Sequence, residues 1–324
     1  MEYNPKSQIV LDPVVKKFLD ALAAQDGPPL YTLSPDAARK LLNDAQAQPV
    51  DKLPADIEDR EIPVGPKGTV NIRIVRPKGN KDTLPVIIYV HGGGWVLGNK
   101  ETHDRLIREI VNGTNAALVF VDYSLAPESA YPTAHEEAYA TAKWVSEHGK
   151  ELNVDTSRMV IAGDSVGGLM ATAVALMAIE RDGPHFIFQV LAYPVTDANF
   201  DTPSYEKYAK GYWLEKASME WFWDCYVPDK SMRSQPFVSP LRASLEQLKK
   251  MPPTLILVGE NDVLRDEVEA YAHKLMQAAV PVAAVRYLGL MHDFLMLNGI
   301  TKAPGVRAAV AQINDTLRMV FAKK

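Results

Sequence analysis

A single cysteine, Cys225, stands in this chain of 324 residues. It permits no internal disulfide, so a disulfide-framed scaffold is excluded. Charge of one sign is not concentrated either. The 35 Lys and Arg face 40 Asp and Glu, for a net charge of −5, and no long basic run interrupts the mixture. That balance disfavours nucleic acid or an anionic membrane as the main partner. Charge-free stretches such as Gly167–Ile179 are too short and too glycine-rich to span a bilayer. The opening Met1-Glu2-Tyr3-Asn4-Pro5 has neither a basic n-region nor an apolar h-region, so the expectation is a cytoplasmic protein. Internal repeats and low-complexity segments are missing as well. What remains is 47% hydrophobic and 23% charged, enough to bury a large core.

Leu11, Val14, Val15, Phe18, Leu19 and Leu22 share one face of a 3.6-residue period and predict an amphipathic helix. A second helix is expected from Ser34 as N-cap with Pro35 in its first position. Both precede any strand, and they fit equally an arm packed on the core or part of a cap over a site. From Ile57 the period changes. Glu61–Val64 and Thr69–Arg76 read as a hairpin around Gly65-Pro66-Lys67-Gly68. Strands are then expected at Leu84–Val90, Ala117–Asp122, Met159–Ala162, Phe186–Tyr193, Thr254–Val258 and Val282–Tyr287. Helices fall near Thr102–Val111, Thr133–His148, Leu169–Glu180, Asp266–Ala279 and Pro304–Phe321. Buried apolar strands alternating with helices define an α/β fold, a mostly parallel central sheet flanked by helices on both faces. Its site belongs at the carboxyl ends of the strands.

Asp197 to Pro252 breaks the alternation and gathers Tyr205, Tyr208, Tyr212, Trp213, Trp221, Phe222, Trp223 and Tyr226. An insertion after a strand's carboxyl end is placed to wall an apolar pocket, although Trp221–Trp223 would equally suit the inner face of a helix packed on the core. The division that follows is residues 1–55 as N-terminal helices and part of a cap, 56–196 and 251–324 as the two parts of the core, and 197–250 as the cap insertion.

The chemistry centres on Gly163-Asp164-Ser165-Val166-Gly167, a Gly-x-Ser-x-Gly between an apolar strand and a small-residue helix. That context is a nucleophile elbow, which holds its serine exposed on a tight turn. A serine hydroxyl needs an imidazole to take its proton, and the imidazole needs a carboxylate to fix its tautomer. In the order expected after such an elbow, acid then histidine, His292 is the base. It lies in a loop after the strand Val282–Tyr287, whereas His273 lies inside a helix. Asp262, directly after Thr254–Val258, is the preferred acid, with Asp266 and Glu260 as alternatives. His91-Gly92-Gly93-Gly94 after a buried strand supplies backbone N–H groups free of side chains. The oxyanion hole is therefore assigned to Gly93, Gly94 and the N–H of Val166, and the substrate pocket to Trp95, Tyr193, Tyr212, Trp213 and Leu214.

With these segments in view, His91-Gly92-Gly93-Gly94-Trp95, Asp122-Tyr123-Ser124-Leu125-Ala126-Pro127-Glu128, Gly163–Gly168 and Asp262-Val263-Leu264-Arg265-Asp266-Glu267 resemble the hormone-sensitive-lipase family of α/β-hydrolases, more closely its bacterial carboxylesterases. The resemblance runs in order from about Leu84 to the C-terminus. It implies the α/β-hydrolase fold with a helical cap, and hydrolysis of short- to medium-chain acyl esters without metal or cofactor. Four positions depart from the family pattern. Val166 replaces Ala, with methyls that would narrow the acyl pocket; Val263 replaces Pro and Ser124 replaces Arg. Asp293 replaces the Gly after the histidine, and its carboxylate would favour the imidazolium of His292.

Other readings carry less. A deacetylase or amidase acting on a small molecule would use the same residues. A non-catalytic receptor on this fold, such as the plant gibberellin receptors that resemble the family, lacks the histidine that His292 provides. His135-Glu136 is not a zincin, because Tyr139 holds the second ligand position. A dinucleotide site is disfavoured by Trp95 and Leu97 around the glycines. A homodimer is compatible with the sequence and not indicated by it.

Overall fold

The computed structural model describes residues 9–25 and 27–323. Met1–Pro5, considered above for a leader, lie outside the described residues. Strands β1 (Ala55–Ile62), β2 (Val70–Pro77), β3 (Leu84–Val90), β4 (Ala117–Asp122), β5 (Val154–Asp164), β6 (Phe188–Ala192), β7 (Thr254–Asn261) and β8 (Val282–Met291) form one sheet. Their order across it is β1-β2-β4-β3-β5-β6-β7-β8. β2 runs antiparallel to both β1 and β4, and every pairing from β4 through β8 is parallel. β3 is buried along its whole length, as its unbroken apolar run requires of a strand covered on both faces.

Helices α1 (Pro13–Ala23) and α2 (Pro35–Gln46) precede the sheet. Asp12 caps α1 by accepting from the Val14 N–H at 2.8 Å, and Ser34 caps α2 through the Ala37 N–H at 3.3 Å; both helices open on proline. The connections between parallel strands carry α3 (Asp104–Thr114), α4 (Thr133–Glu147), the short α5 (Gly149–Leu152) and α6 (Val166–Glu180). After β6 come α7 (Pro203–Lys207), α8 (Lys216–Tyr226) and α9 (Leu245–Leu248), then α10 (Arg265–Gln277) and α11 (Pro304–Ala322). α3 packs on α11, and α4 on α6, so the sheet is covered by two separate helical layers. α6 is buried all round from Val166 to Ala178, the pattern of a helix with no solvent face.

Where the sequence boundaries differ, local physics explains the shift. β1 begins at Ala55, because Asp56, Asp59 and Arg60 on this edge strand find ion partners in Lys78, Arg73 and Glu151. Those polar side chains hide the strand pattern. β6 stops before Tyr193, whose φ of +37° takes the chain out of the sheet. β8 runs on to Met291 through Gly289 at φ +72° and delivers His292 at its end. Among the described residues no helix is long and apolar enough to cross a membrane.

Candidate active site

Three parallel strands end within reach of one another and each hands over one side chain. β5 ends at Asp164 and is followed by Ser165; β7 ends at Asn261 and is followed by Asp262; β8 ends at Met291 and is followed by His292. Ser165 sits at φ +54°, ψ −124°, an unfavourable conformation for a residue with a Cβ, held at the mouth of α6. Its neighbours must be glycine. A Cβ on Gly163 would lie 2.3 Å from the Gly167 oxygen, and one on Gly167 would lie 2.1 Å from the Val90 oxygen.

His292 Nε2 is 2.9 Å from Ser165 Oγ, and His292 Nδ1 is 2.7 Å from Asp262 Oδ2. The other carboxylate oxygen of Asp262 accepts from the Leu264 N–H at 2.9 Å, which fixes its plane. All three side chains are nearly buried, which strengthens each contact. The alternatives are engaged elsewhere: Asp266 accepts from the Ser204 N–H, Glu260 from the Gly289 N–H, and His273 is exposed on α10.

Asp293 brings a second carboxylate to His292. Its Oδ1 is 3.4 Å from His292 Nε2, and its Oδ2 accepts from Trp213 Nε1–H at 2.8 Å. Burial alone would lower the pKa of His292. The charges of Asp262 and Asp293 and the hydrogen bond to Asp262 outweigh it and raise the imidazole to about 9. Burial raises the pKa of Asp293 in turn, opposed by His292 and by the Trp213 donor.

Gly93 (φ +112°) and Gly94 (φ +62°) turn the chain beside Ser165. Among the described residues the N–H groups of Gly93, Gly94 and Val166 have no hydrogen-bond acceptor. They are free to donate to a ligand oxygen, and Val166 opens α6, where the helix dipole favours negative charge.

A cavity of about 1820 Å³ opens over these groups. Ser165, His292, Asp293, Gly93 and Gly94 form its floor, with walls from Trp213, Leu214, Met219 and Phe222 after β6 and from Val14, Phe18 and Leu19 on α1. Of the five residues assigned to the pocket from sequence, Trp213 and Leu214 line it, whereas Trp95, Tyr193 and Tyr212 do not. Trp95 is fully buried and stacks on Tyr226, with Trp223 edge-on. Tyr193 is packed between His292 and Phe294, and Tyr212 packs on Tyr208. Val166 is fully buried and outside the lining as well, so its methyls do not narrow the cavity. α8 plays both parts weighed for it: Phe222 and Met219 face the cavity while Trp223 and Tyr226 face the core.

The fold and this arrangement define the class. A family model described as alpha/beta hydrolase fold matches residues 87–296, and the chain belongs to that family, in its hormone-sensitive-lipase-like branch. An ethyl acetate hydrolase of Pseudomonas putida is 34% identical over 84% of this chain and 86% of its own. The carboxylesterase NlhH of Mycobacterium tuberculosis is 33% identical over 88% of this chain and 89% of its own. Among solved structures, a thermostable esterase from Pseudomonas putida superposes with a TM-score of 0.95 at 46% identity, with both chains covered completely. The chain is a carboxylic ester hydrolase.

Proposed function

We propose that Ser165 is the nucleophile, His292 the general base and acid, and Asp262 the group that orients His292, with Gly93, Gly94 and Val166 as oxyanion donors. The observation that carries this is the unbroken line from Asp262 Oδ2 through the imidazole to Ser165 Oγ, at 2.7 and 2.9 Å. As Oγ bonds to the ester carbonyl carbon, His292 Nε2 takes its proton, and the carbonyl π electrons move to an oxygen facing the three N–H groups. Collapse of that tetrahedral species expels the alkoxide, which leaves with the proton from His292. Water then repeats the sequence on the acyl-enzyme. Each oxyanion donor is worth about 2.7–4 kcal/mol of barrier by comparison with measured cases.

The α1–α2 segment and residues 197–250 act as the cap, since both contribute walls to the cavity above Ser165. The substrates are esters with short to medium acyl chains, a reading supported by the apolar side chains of Leu214, Met219 and Phe222 in the walls of the cavity over Ser165. A p-nitrophenyl ester series from acetate to palmitate tests both points. Wild type is expected to favour the shorter esters, and Ser165→Ala to lose on the order of a millionfold in kcat. Turnover retained in Ser165→Ala would remove the serine mechanism, and a palmitate optimum would remove the chain-length assignment.

A further inference from the structure

The two halves of the oxyanion hole come from segments about seventy residues apart in sequence, the glycine loop after β3 and the elbow after β5. One side chain joins them. Asp164, immediately before the nucleophile, accepts the Gly92 N–H at 3.1 Å and the Tyr89 hydroxyl at 2.8 Å on Oδ1. Its Oδ2 faces His103 Nε2 at 3.2 Å, and both side chains are wholly removed from solvent. The fit around Gly92 is close: a Cβ there would sit 2.5 Å from Asp164 Oδ2.

The other side of the His103 ring is hydrogen-bonded as well. Nδ1 lies 2.9 Å from Thr102 Oγ1. That hydroxyl has one proton, which it donates to the Asn99 carbonyl at 2.8 Å, and it accepts from the Asn99 N–H at 3.0 Å. It therefore turns a lone pair toward Nδ1, while a carboxylate faces Nε2. Two acceptors on the two ring nitrogens would be satisfied together by an imidazolium. A carboxylate held next to the nucleophile would by itself oppose the negative charge that develops on the tetrahedral oxygen, and a cation on its far side cancels that opposition.

We propose that Asp164 and His103 are positioning residues for hydrolysis: the carboxylate sets the Gly92–Gly94 loop against the elbow, and the His103 cation neutralises that carboxylate beneath the developing oxyanion. The proposal rests on the assignment of Ser165 as nucleophile and of Gly93 and Gly94 as oxyanion donors. Burial works against ionisation of Asp164, yet the charge and hydrogen bond of His103, with the Tyr89 hydroxyl, hold its carboxyl below the usual range.

His103→Gln keeps a donor for Asp164 and removes the cation. Asp164→Asn in the same chain removes the charge left uncompensated and keeps an acceptor for the Gly92 N–H. Active sites are counted by fluorophosphonate labelling of Ser165, so that misfolded protein does not enter kcat. Turnover of p-nitrophenyl butyrate is compared with inhibition by an alkyl trifluoromethyl ketone. That ketone takes the serine oxygen on its carbonyl carbon, gives the serine proton to His292 and leaves an oxyanion in the hole. For His103→Gln we expect kcat to fall about 10–100-fold with KM within twofold, and ketone affinity to fall by the same factor. The double variant His103→Gln/Asp164→Asn is expected to recover part of that loss. Unchanged kcat in His103→Gln overturns the proposal. So does a kcat loss without weaker ketone binding, or a double variant no faster than the single one. Failure of the underlying assignment shows separately, as wild type that neither labels nor turns over.

Discussion

His292 and Asp293 are consecutive, and the chain turns so that both face one point: Nε2 of the imidazole lies 2.9 Å from Ser165 Oγ and 3.4 Å from Asp293 Oδ1. Asp293 takes φ +59° to do this, a conformation that glycine adopts at no steric cost. A proton on Nε2 is therefore stabilised by a carboxylate at the nitrogen that faces Ser165 Oγ, the one proposed to act as base.

The consequence is a shifted pH–rate profile. His292 must be neutral to accept the serine proton, and its pKa is raised to about 9, so kcat/KM should still be rising with pH well above the ordinary histidine range. Asp293→Gly suits the backbone and removes the added charge. The acid limb should then move down by about one unit. Trp213→Phe removes a donor that favours the charged form of Asp293 and should move the limb in the same direction by less. Coincident limbs for wild type and Asp293→Gly would show that Asp293 has no part in setting the base.

Gly94 is tested by the smallest side chain. At φ +62° an alanine is strained by roughly 1–2 kcal/mol, and its Cβ would lie 2.2 Å from the Phe222 ring. Gly94→Ala should lower kcat about 100-fold or more by displacing a proposed oxyanion donor, with a smaller change in KM. Phe222→Ala in the same chain opens the space and should restore part of kcat. Steady-state kinetics of the single and double variants check this; a double variant no better than the single one would count against the clash as the cause.

Gln46 ties α2 to the loop that follows His292. Its amide N–H groups reach the Thr102 and Met296 carbonyls at 2.7 Å, and its Oε1 accepts the Asn298 N–H at 2.9 Å. Gln46→Leu leaves those buried groups unpaired and should cost about 2–4 kcal/mol of stability, read by thermal or urea unfolding. Because Asn298 lies six residues after His292, kcat should fall as well. Unchanged stability would mean that water replaces the lost partners.

Much of this site is legible in the sequence because short-range physics dictates it. Gly163 and Gly167 are needed wherever a serine turns this tightly out of a strand, and β3 announces itself as a run that only a doubly covered strand can bury. His292 and Asp262 follow from their places after β8 and β7. The lining of the cavity is less legible. Trp95, Tyr193 and Tyr212 have the composition of pocket walls, yet they are occupied by neighbours the sequence does not bring near: Tyr226, Phe294 and Tyr208. Phe18 and Leu19 of α1 line the cavity from a segment whose periodicity fits an arm equally well.

By itself the sequence determined the α/β alternation, the tight glycine-flanked turn at Ser165, the places of Asp262 and His292 after it, and the glycine triplet. Each of these depends on residues adjacent in the chain or on the period of a single element. Only the tertiary structure decided which side chains wall the cavity, that Trp213 reaches Asp293, and that His103 and Asp164 meet beside Gly92. Those contacts join segments separated by tens of residues, and packing in three dimensions, which no local pattern encodes, brings them to hydrogen-bonding distance.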